Sequence, residues 1–374
     1  MIMLREIKHA LGNHLINIKG WHTSRKIVVI ESDDWGTLRT PNRHTFEVLA
    51  AKYADSMWTE TYDRVDNLAN KEDLEMLFDV LTSVTDYKGH HAVITANTIV
   101  GNPDFRKIAE SDYKEYHWEP FTETLSRYPT HSGTFDCWKQ GMDMGIFVPQ
   151  FHGREHLNVC CWLHLLQQNY PGMREALEYG TWLGHPVGNR RLDIAYNYAD
   201  NLEWNFVRKS IIEGYELFTN LFGYKSITTI CPSYTWDDEV EKLFANLGVV
   251  VMQGGWTQCY PERDGQHAHT RHYTGERNQY GQYYSMRNIH FEPSLFKEVD
   301  HVRRVMADIQ RVFFWHKPAI ISSHRLNYIG NLVPENRKRT LDLLRRLLHA
   351  IVQQYPDVEF MSSDQLARLL SSHE

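Results

Sequence analysis

The chain has 374 residues, 42% of them hydrophobic and 23% charged, with a formal net charge of −7. That composition supports a sizeable core, and without a basic excess neither nucleic acid nor an anionic membrane surface is an expected partner. Charges break up the apolar residues of positions 1–10 (MIMLREIKHA) before a signal-peptide core forms, and no run approaches the roughly 18 apolar residues of a membrane span, so a soluble, cytoplasmic protein is expected.

Residues 26–31 (KIVVIE) form a β-branched run that breaks into Ser32-Asp33-Asp34-Trp35-Gly36, the pattern of a buried strand leading into a loop. Helical spacing follows over 72–85 (EDLEMLFDVLTSVT), then a strand over 91–96 (HAVITA). Residues 146–151 (IFVPQF) read as a third strand, interrupted by Pro149, that delivers the chain into His152. From about 160 to 223 the chain reads as a helical insertion, with Val207, Ile211, Tyr215, Phe218 and Phe222 on one face and Gly223 as its stop. Cys160 and Cys161 lie in its apolar part and are expected to pack. Further strands are expected over 226–231, 249–252, 283–290, 319–323 and 358–361. A long surface loop falls at about 262–281, and Leu341, Leu344, Leu348, Ile351 and Tyr355 mark an amphipathic helix. Strand and helix alternate from end to end with no Pro/Gly/Ser-rich linker or fixed repeat, which points to one α/β domain over residues 1–374 with a parallel sheet and helices outside it. The five cysteines, odd in number and without a CxxC pair, are expected as reduced thiols.

Asp33 and Asp34 stand at the carboxyl end of the first strand, where α/β barrels place reactive groups, although an aspartate after a strand is also an ordinary turn residue. Neighbouring carboxylates can divide labour, one holding a cation while the other stays ionised as a base. His152 and His156 are four apart, so on a helical turn both imidazoles face one side and can share a metal. Among 21 histidines about one such pair arises by chance, so its weight comes from position, directly after the third strand and at the same barrel end as Asp34. Two imidazoles and one carboxylate leave coordination positions open, the pattern of a catalytic centre, and suit zinc, with cobalt, nickel or manganese as alternatives. His324 follows the 319–323 strand and is a candidate general acid, its plainer reading being a loop histidine beside Arg325. Trp35, Tyr234, Trp236 and Trp256 lie near strand ends where rings could stack on sugar faces, while core packing accounts for most of the 11 tryptophans. His267, His269 and His272 fall in the long loop and are expected to be solvated.

These elements, in this order, resemble the polysaccharide deacetylase family, the family 4 carbohydrate esterases of NodB-homology type, over most of the chain. Ser32-Asp33-Asp34 is similar to the family's Thr-Phe-Asp-Asp motif, whose first Asp is the base and whose second is a metal ligand. His152-Gly-Arg-Glu-His156 is similar to the His-Ser/Thr-x-x-His motif, in which both His bind the ion. Pro232-Ser233-Tyr234 is similar to Arg-Pro-Pro-Tyr, whose Tyr main chain helps bind the oxyanion, and the strand ending in His324 to the motif of the catalytic His. Departures are specific. Ser32 stands for the Phe, Gly153 for the second-motif hydroxyl and Cys231 for the third-motif Arg, whose task of orienting the catalytic Asp passes to Arg25, Arg39 or Arg154. No Asp partner for the catalytic His is evident, and Glu292 is the candidate replacement.

The resemblance implies a distorted (β/α)7–8 barrel with a helical insertion, holding a divalent metal on Asp34, His152 and His156, with Asp33 as base and His324 as acid. Tyr234, Trp35 and Trp236 would contact substrate or oxyanion, with Glu292 and Arg154 supporting from behind. The implied reaction is removal of acetyl groups from N-acetylated sugars or polysaccharide. Open alternatives are an O-acetyl esterase, a glycoside hydrolase, a small cyclic-amide hydrolase on the same barrel, and a non-catalytic carbohydrate-binding barrel. A glycoside hydrolase would need a second carboxylate some 5 to 9.5 Å from the first, across the site.

Overall fold

In the computed structural model, which describes residues 16–53, 62–184, 191–261 and 268–372, nine strands form one parallel sheet. They are β1 (Lys26–Trp35), β2 (Ile94–Ile99), β3 (Phe147–Gly153), β4 (Thr228–Ile230), β5 (Val251–Gly254), β6 (Tyr283–Met286), β7 (Ile289–His290), β8 (Ala319–His324) and β9 (Val358–Met361). Their order across the sheet is β6-β5-β4-β3-β2-β1-β8-β7, with β9 paired to the first half of β1.

One continuous segment carries both ends of that order. Its first half pairs with β5, the Arg287 N–H donates to the Gly254 carbonyl, the Asn288 N–H donates to the Ile320 carbonyl, and its second half pairs with β8. The segment crosses from one sheet edge to the other and so draws the sheet into a distorted barrel. Residues 283–290, expected as a single strand, are therefore two short ones, because a strand that changes partners midway cannot keep one ladder.

Side chains alternate across a strand with a period of two, and the barrel interior follows that rule. On β1, Val28 and Ile30 face the outer helices within the largest core cluster, while Ile27 and Val29 face inward with Val251, Ile320, Leu366, Ala367 and Leu370. The same inward parity then reaches Glu31 and Asp33. The barrel floor is thus apolar and its upper half polar, lined by buried Glu31, Thr95, Asn97, Gln150, Thr228, Gln253 and Ser322.

The major helices are α1 (Lys71–Leu81), α2 (Thr134–Asp143), α3 (Val159–Gln167), α4 (Asn201–Phe222), α5 (Asp238–Leu247), α6 (His301–Phe314), α7 (Pro334–Gln354) and α8 (Ser363–Ser371). A capping box between Asn70 and Asp73 starts α1, which ends with Thr82 as its C-cap, short of the expected residue 85, and the Thr82 hydroxyl donates back to the Phe78 carbonyl. Asp200 caps α4, and Gly223 ends it at φ 77°, the left-handed conformation that a C-terminal glycine adopts freely. Helix α8 plugs the barrel floor, and at its start the Ser363 hydroxyl donates to Glu31 inside the barrel.

The chain between β3 and β4 forms a small core of its own. Leu157, Trp162, Leu165, Leu166, Met173 and Leu183 pack there with Leu49 and Ile108. Each such buried side chain contributes about 1.5–3 kcal/mol, enough to hold this excursion in place over the barrel rim.

Part of the expected 262–281 loop is ordered pairing. Residues 269–271 pair antiparallel with 257–259, and His272, far from solvated, is buried against the Tyr284 ring at 3.8 Å and bonds Gln258 and Glu276. His269 is exposed, and His267 lies outside the described residues. Among the described residues, no helix is long and apolar enough to cross a membrane.

Candidate metal centre

A regular strand would send Asp33 and Asp34 to opposite faces. Register between β1 and β2 shifts here, with Ser32 opposite Ala96 and Trp35 opposite Thr98, so β1 carries one extra residue. Asp34 sits in that bulge at φ 72°, a left-handed conformation that Asp tolerates better than most residues. The bulge turns both carboxylates into the barrel mouth. A second irregularity does the same on β3, where Thr98 faces Phe151 and Ile99 faces Gly153, leaving His152 as the extra residue. Gly153 at φ 130° then turns the chain towards His156, a conformation that a side chain there would strain.

Asp34 Oδ1 lies 3.6 Å from Nε2 of His152 and 3.6 Å from Nε2 of His156, and the three ligand atoms all fall within 4.8 Å of one another. Those separations are slightly long for direct hydrogen bonds. They suit atoms arranged around a cation, because bonds of about 2.1 Å in tetrahedral geometry place neighbouring ligands about 3.4 Å apart. The Nδ1 of His152 is 2.8 Å from the Ile230 carbonyl, which places a proton on Nδ1 and turns Nε2 towards Asp34. Burial pushes His156 down to about 4, keeping it a neutral ligand. Burial alone would raise Asp34, but the His156, His152 and His324 rings together hold it well below the usual carboxylate range. The residues therefore fit a divalent cation in donor type and spacing.

Asp33 has a different environment. Arg287 donates through Nη1 to Oδ2 and through Nη2 to Oδ1, both at 2.6 Å, while its Nε donates to Glu31 at 2.7 Å. Asn97 adds a third hydrogen bond to Oδ1 at 2.8 Å. Against the upward push of burial, the Arg287 charge and hydrogen bonds bring Asp33 below its ordinary value, so it is ionised. His324 stands across the site with Nε2 3.9 Å from Asp33 Oδ2, and its Nδ1 meets Glu292 Oε1 at 2.6 Å. Asn327 holds the other Glu292 oxygen at 2.7 Å. Burial would lower His324, but Glu292, followed by Asp34 and Asp33, raises it to about 10, so the imidazole carries a proton.

The structure thus brings Asp33, Asp34, His152, His156, His324 and Tyr234 around one cavity of about 520 Å³, with Glu292 behind His324. Other expectations are corrected. Trp35 is buried, donates to the Ser32 hydroxyl and packs between Trp138, Phe147 and Tyr328, so it is a core residue and offers no face to a sugar. Trp236 is likewise fully buried, with its indole N–H on Glu241. The Tyr234 N–H, expected as an oxyanion donor, is committed to the Cys231 carbonyl at 3.0 Å, and what this residue turns to the cavity is its side chain. Arg154 does not support the site, since it pairs with Glu155 and Glu213 among the Tyr116, Trp118 and Phe206 rings.

The arginine on Asp33 is none of the three expected. Arg25 pairs with Glu359, and Arg39 lines the cavity beside Asp63 and Asp66. Arg287 was missed, though a signal existed: Ser285 and Arg287 occupy alternate positions between Tyr284 and Met286, whose side chains enter the outer core. An arginine on the inward parity of a barrel strand needs a buried anionic partner. The cavity-lining Tyr62, Asp63, Arg191 and Asp193 were also missed, because they sit on excursions with no periodic pattern.

No protein-family sequence model matches the chain, and neither does any curated protein sequence. Among solved structures it is similar to a probable polysaccharide deacetylase from Pseudomonas aeruginosa PAO1, at 9% identity and a TM-score of 0.47, covering 94% of this chain and 93% of that one. It is equally similar to Puue allantoinase, at 9% identity and a TM-score of 0.47 over 95% and 93% of the two chains. A 4-alpha-glucanotransferase from Thermococcus litoralis matches 94% of this chain at 10% identity and a TM-score of 0.46, but this chain spans only 40% of its length.

Proposed function

We propose that this chain is a divalent-metal hydrolase that removes the acetyl group from an N-acetylated sugar. The observation that carries the reading is the division of labour between two adjacent carboxylates. Asp34 faces two imidazole nitrogens at ligand spacing, and Asp33, one residue away, is locked onto Arg287 with a protonated His324 opposite. Zinc suits this donor set best, since two imidazoles and one carboxylate leave room for water and substrate.

A cation bound there supplies Lewis acidity, polarising the amide carbonyl and acidifying the attacking water. Asp33 is held ionised by Arg287, in reach of the same space, and takes a proton from that water as it attacks. Arg287 and Asn97 fix the orientation of Asp33, which lines the cavity. His324 carries a proton stabilised by Glu292 and delivers it from Nε2 to the nitrogen of the departing amine. The products are acetate and a free amine. Arg39 and Arg191, with Asp63 and Asp193, supply donors and acceptors on the cavity walls that suit a hydroxyl-rich ligand.

The test pairs metal analysis with acetate release from N-acetylated sugars. The purified chain should retain about one divalent ion and release acetate, and His156→Ala should lose both. Full turnover by a His156→Ala protein that holds no ion would refute the assignment.

A further inference from the structure

Three arginines with little or no exposed surface stand about the barrel mouth, and they spend their donors differently. Arg287 makes three hydrogen bonds of 2.6–2.7 Å to Glu31 and Asp33. Arg325 clasps Asp66 through Nε at 3.0 Å and Nη2 at 2.8 Å, and its Nη1 donates to the Thr37 carbonyl at 2.6 Å. A guanidinium carries five N–H donors. Among the described residues Arg39 spends only one of them in a hydrogen bond, from Nη1 to Asp63 Oδ1 at a long 3.4 Å. Its Nε is buried without a hydrogen-bond partner, 3.5 Å from an Asp66 oxygen that Arg325 already holds.

Of the three, Arg39 is the one that borders the cavity, in company with Asp34 and His156. The Tyr62 ring lies against its guanidinium, 5.1 Å from the centroid, and stands edge-on to His324 at 5.8 Å, so a single ring spaces Arg39 from the proton donor. Arg191, the other arginine on the cavity wall, is half exposed and turns two donors onto Asp193. A largely desolvated guanidinium with donors to spare is costly until an acceptor meets them, and the cavity is where one can arrive. Its planar fork of N–H groups matches a carboxylate or a phosphate. We propose that Arg39 sets the specificity of this site by gripping an oxyanion, carboxylate or phosphate, that the substrate carries away from the reacting amide. The substrate class is then an acidic N-acetylated sugar rather than a neutral one. The proposal deepens the hydrolase reading above and rests on it for the reacting amide, whereas the anion subsite itself needs no metal.

The test compares acetate release by the zinc-loaded full chain from N-acetylglucosamine, from its 6-phosphate and from N-acetylmuramic acid, which adds a carboxylate to the same ring. One acidic sugar should exceed the neutral one in kcat/KM by roughly 10–100-fold, the scale of a charged hydrogen-bonded pair, and its identity tells phosphate from carboxylate. Arg39→Gln should abolish that preference, whereas a merely structural role would lower all the rates alike. Arg39→Lys keeps a cation beside Asp63 and Asp66 and should hold an intermediate preference, so the comparison survives should Arg39→Gln fail to fold. Binding is read separately by calorimetry, with inorganic phosphate and succinate titrated into the full chain freed of metal by chelator, so that neither probe can bind through an ion. At least one should bind, and the Arg39 variants should bind it more weakly by a similar factor. Binding of neither anion, binding undiminished in the variants, or a neutral sugar turned over as well as both acidic ones overturns the anion proposal and leaves the hydrolase reading intact. Conversely, anion binding that is lost with Arg39 while no sugar releases acetate overturns the acetamide reading and leaves the anion subsite.

Discussion

Arg287→Gln tests whether the buried triad of Glu31, Arg287 and Asp33 is what makes Asp33 usable. The guanidinium has no exposed surface and makes three charged hydrogen bonds of 2.6–2.7 Å to two carboxylates, both themselves buried. Removing it leaves two buried carboxyl groups in the barrel without the cation that pairs them. Breaking a buried ion pair by deleting one partner costs about 3–5 kcal/mol. Spread over the unfolding entropy of 374 residues, roughly 0.8 kcal/mol per kelvin, that is a fall in Tm of about 4–6 °C, measurable by calorimetry. The chemistry should suffer separately. Because Arg287 is what holds Asp33 below its ordinary value against burial, its loss lets Asp33 titrate at higher pH, and the acid limb of the rate profile should move upward. Loss of orientation should lower kcat by roughly 100-fold, the scale of a 1 Å misplacement. Adding Glu31→Gln to Arg287→Gln removes one of the stranded charges and should restore part of the stability without restoring the rate. A single variant with unchanged Tm, or with reduced rate but an unmoved acid limb, would show that Arg287 is not doing this.

Two further perturbations act on other charges. Glu292→Gln withdraws the partner that raises His324 to about 10, so the alkaline limb of kcat/KM should move to lower pH and the rate should fall by about 100-fold, within the range of a lost general acid. An unmoved alkaline limb in a pH–rate series would remove His324 from that role. Glu359 tests stability alone, because Arg25 and Lys88 hold it at about 2 from an ordinary 4.5. A depressed carboxylate stabilises the fold fully above its unfolded value, and that contribution disappears as pH falls from about 4.5 through about 2. Thermal melts over that window should decline less steeply for Glu359→Gln than for the unmodified chain.

The regular parts of the fold were legible because period-two and period-3.6 patterns are written directly in the sequence. The runs at 26–31 and 319–323 and the helix face at Leu341, Leu344 and Leu348 are such cases. The three chemistry-bearing strand ends were legible for the same reason, since Asp33, His152 and His324 each follow an apolar run. What was not legible depends on distance in the chain. Arg287 reaches Asp33 across 254 residues, and nothing local to either reports the pair. The switch of partners at residues 286–288 is set by barrel closure, which no single segment encodes. Trp35 and Trp236 misled because position near a strand end does not reveal which way a side chain turns. At residue 35 the bulge shifts the parity, and the indole is turned into the core between Trp138, Phe147 and Tyr328.

That same bulge separates the needs of the site from the needs of the fold. Asp34 is a non-glycine residue at φ 72°, and its carboxylate is 4% exposed between two imidazoles. A non-glycine backbone in that region costs of the order of 1–3 kcal/mol. Asp34→Gly relieves that strain, since glycine adopts positive φ without a steric cost, although the unfolded chain gains freedom worth about 0.4–1 kcal/mol against the variant. The expected result is a Tm, measured in chelator, at or above that of the unmodified chain in chelator. Adding zinc should raise the Tm of the unmodified chain, since an ion that binds only the folded state stabilises it by mass action, and should leave the variant where it was. If Asp34→Gly instead melted well below the chelated parent, the bulge would be serving the barrel itself. The case for a strand distorted to hold an ion would then be lost.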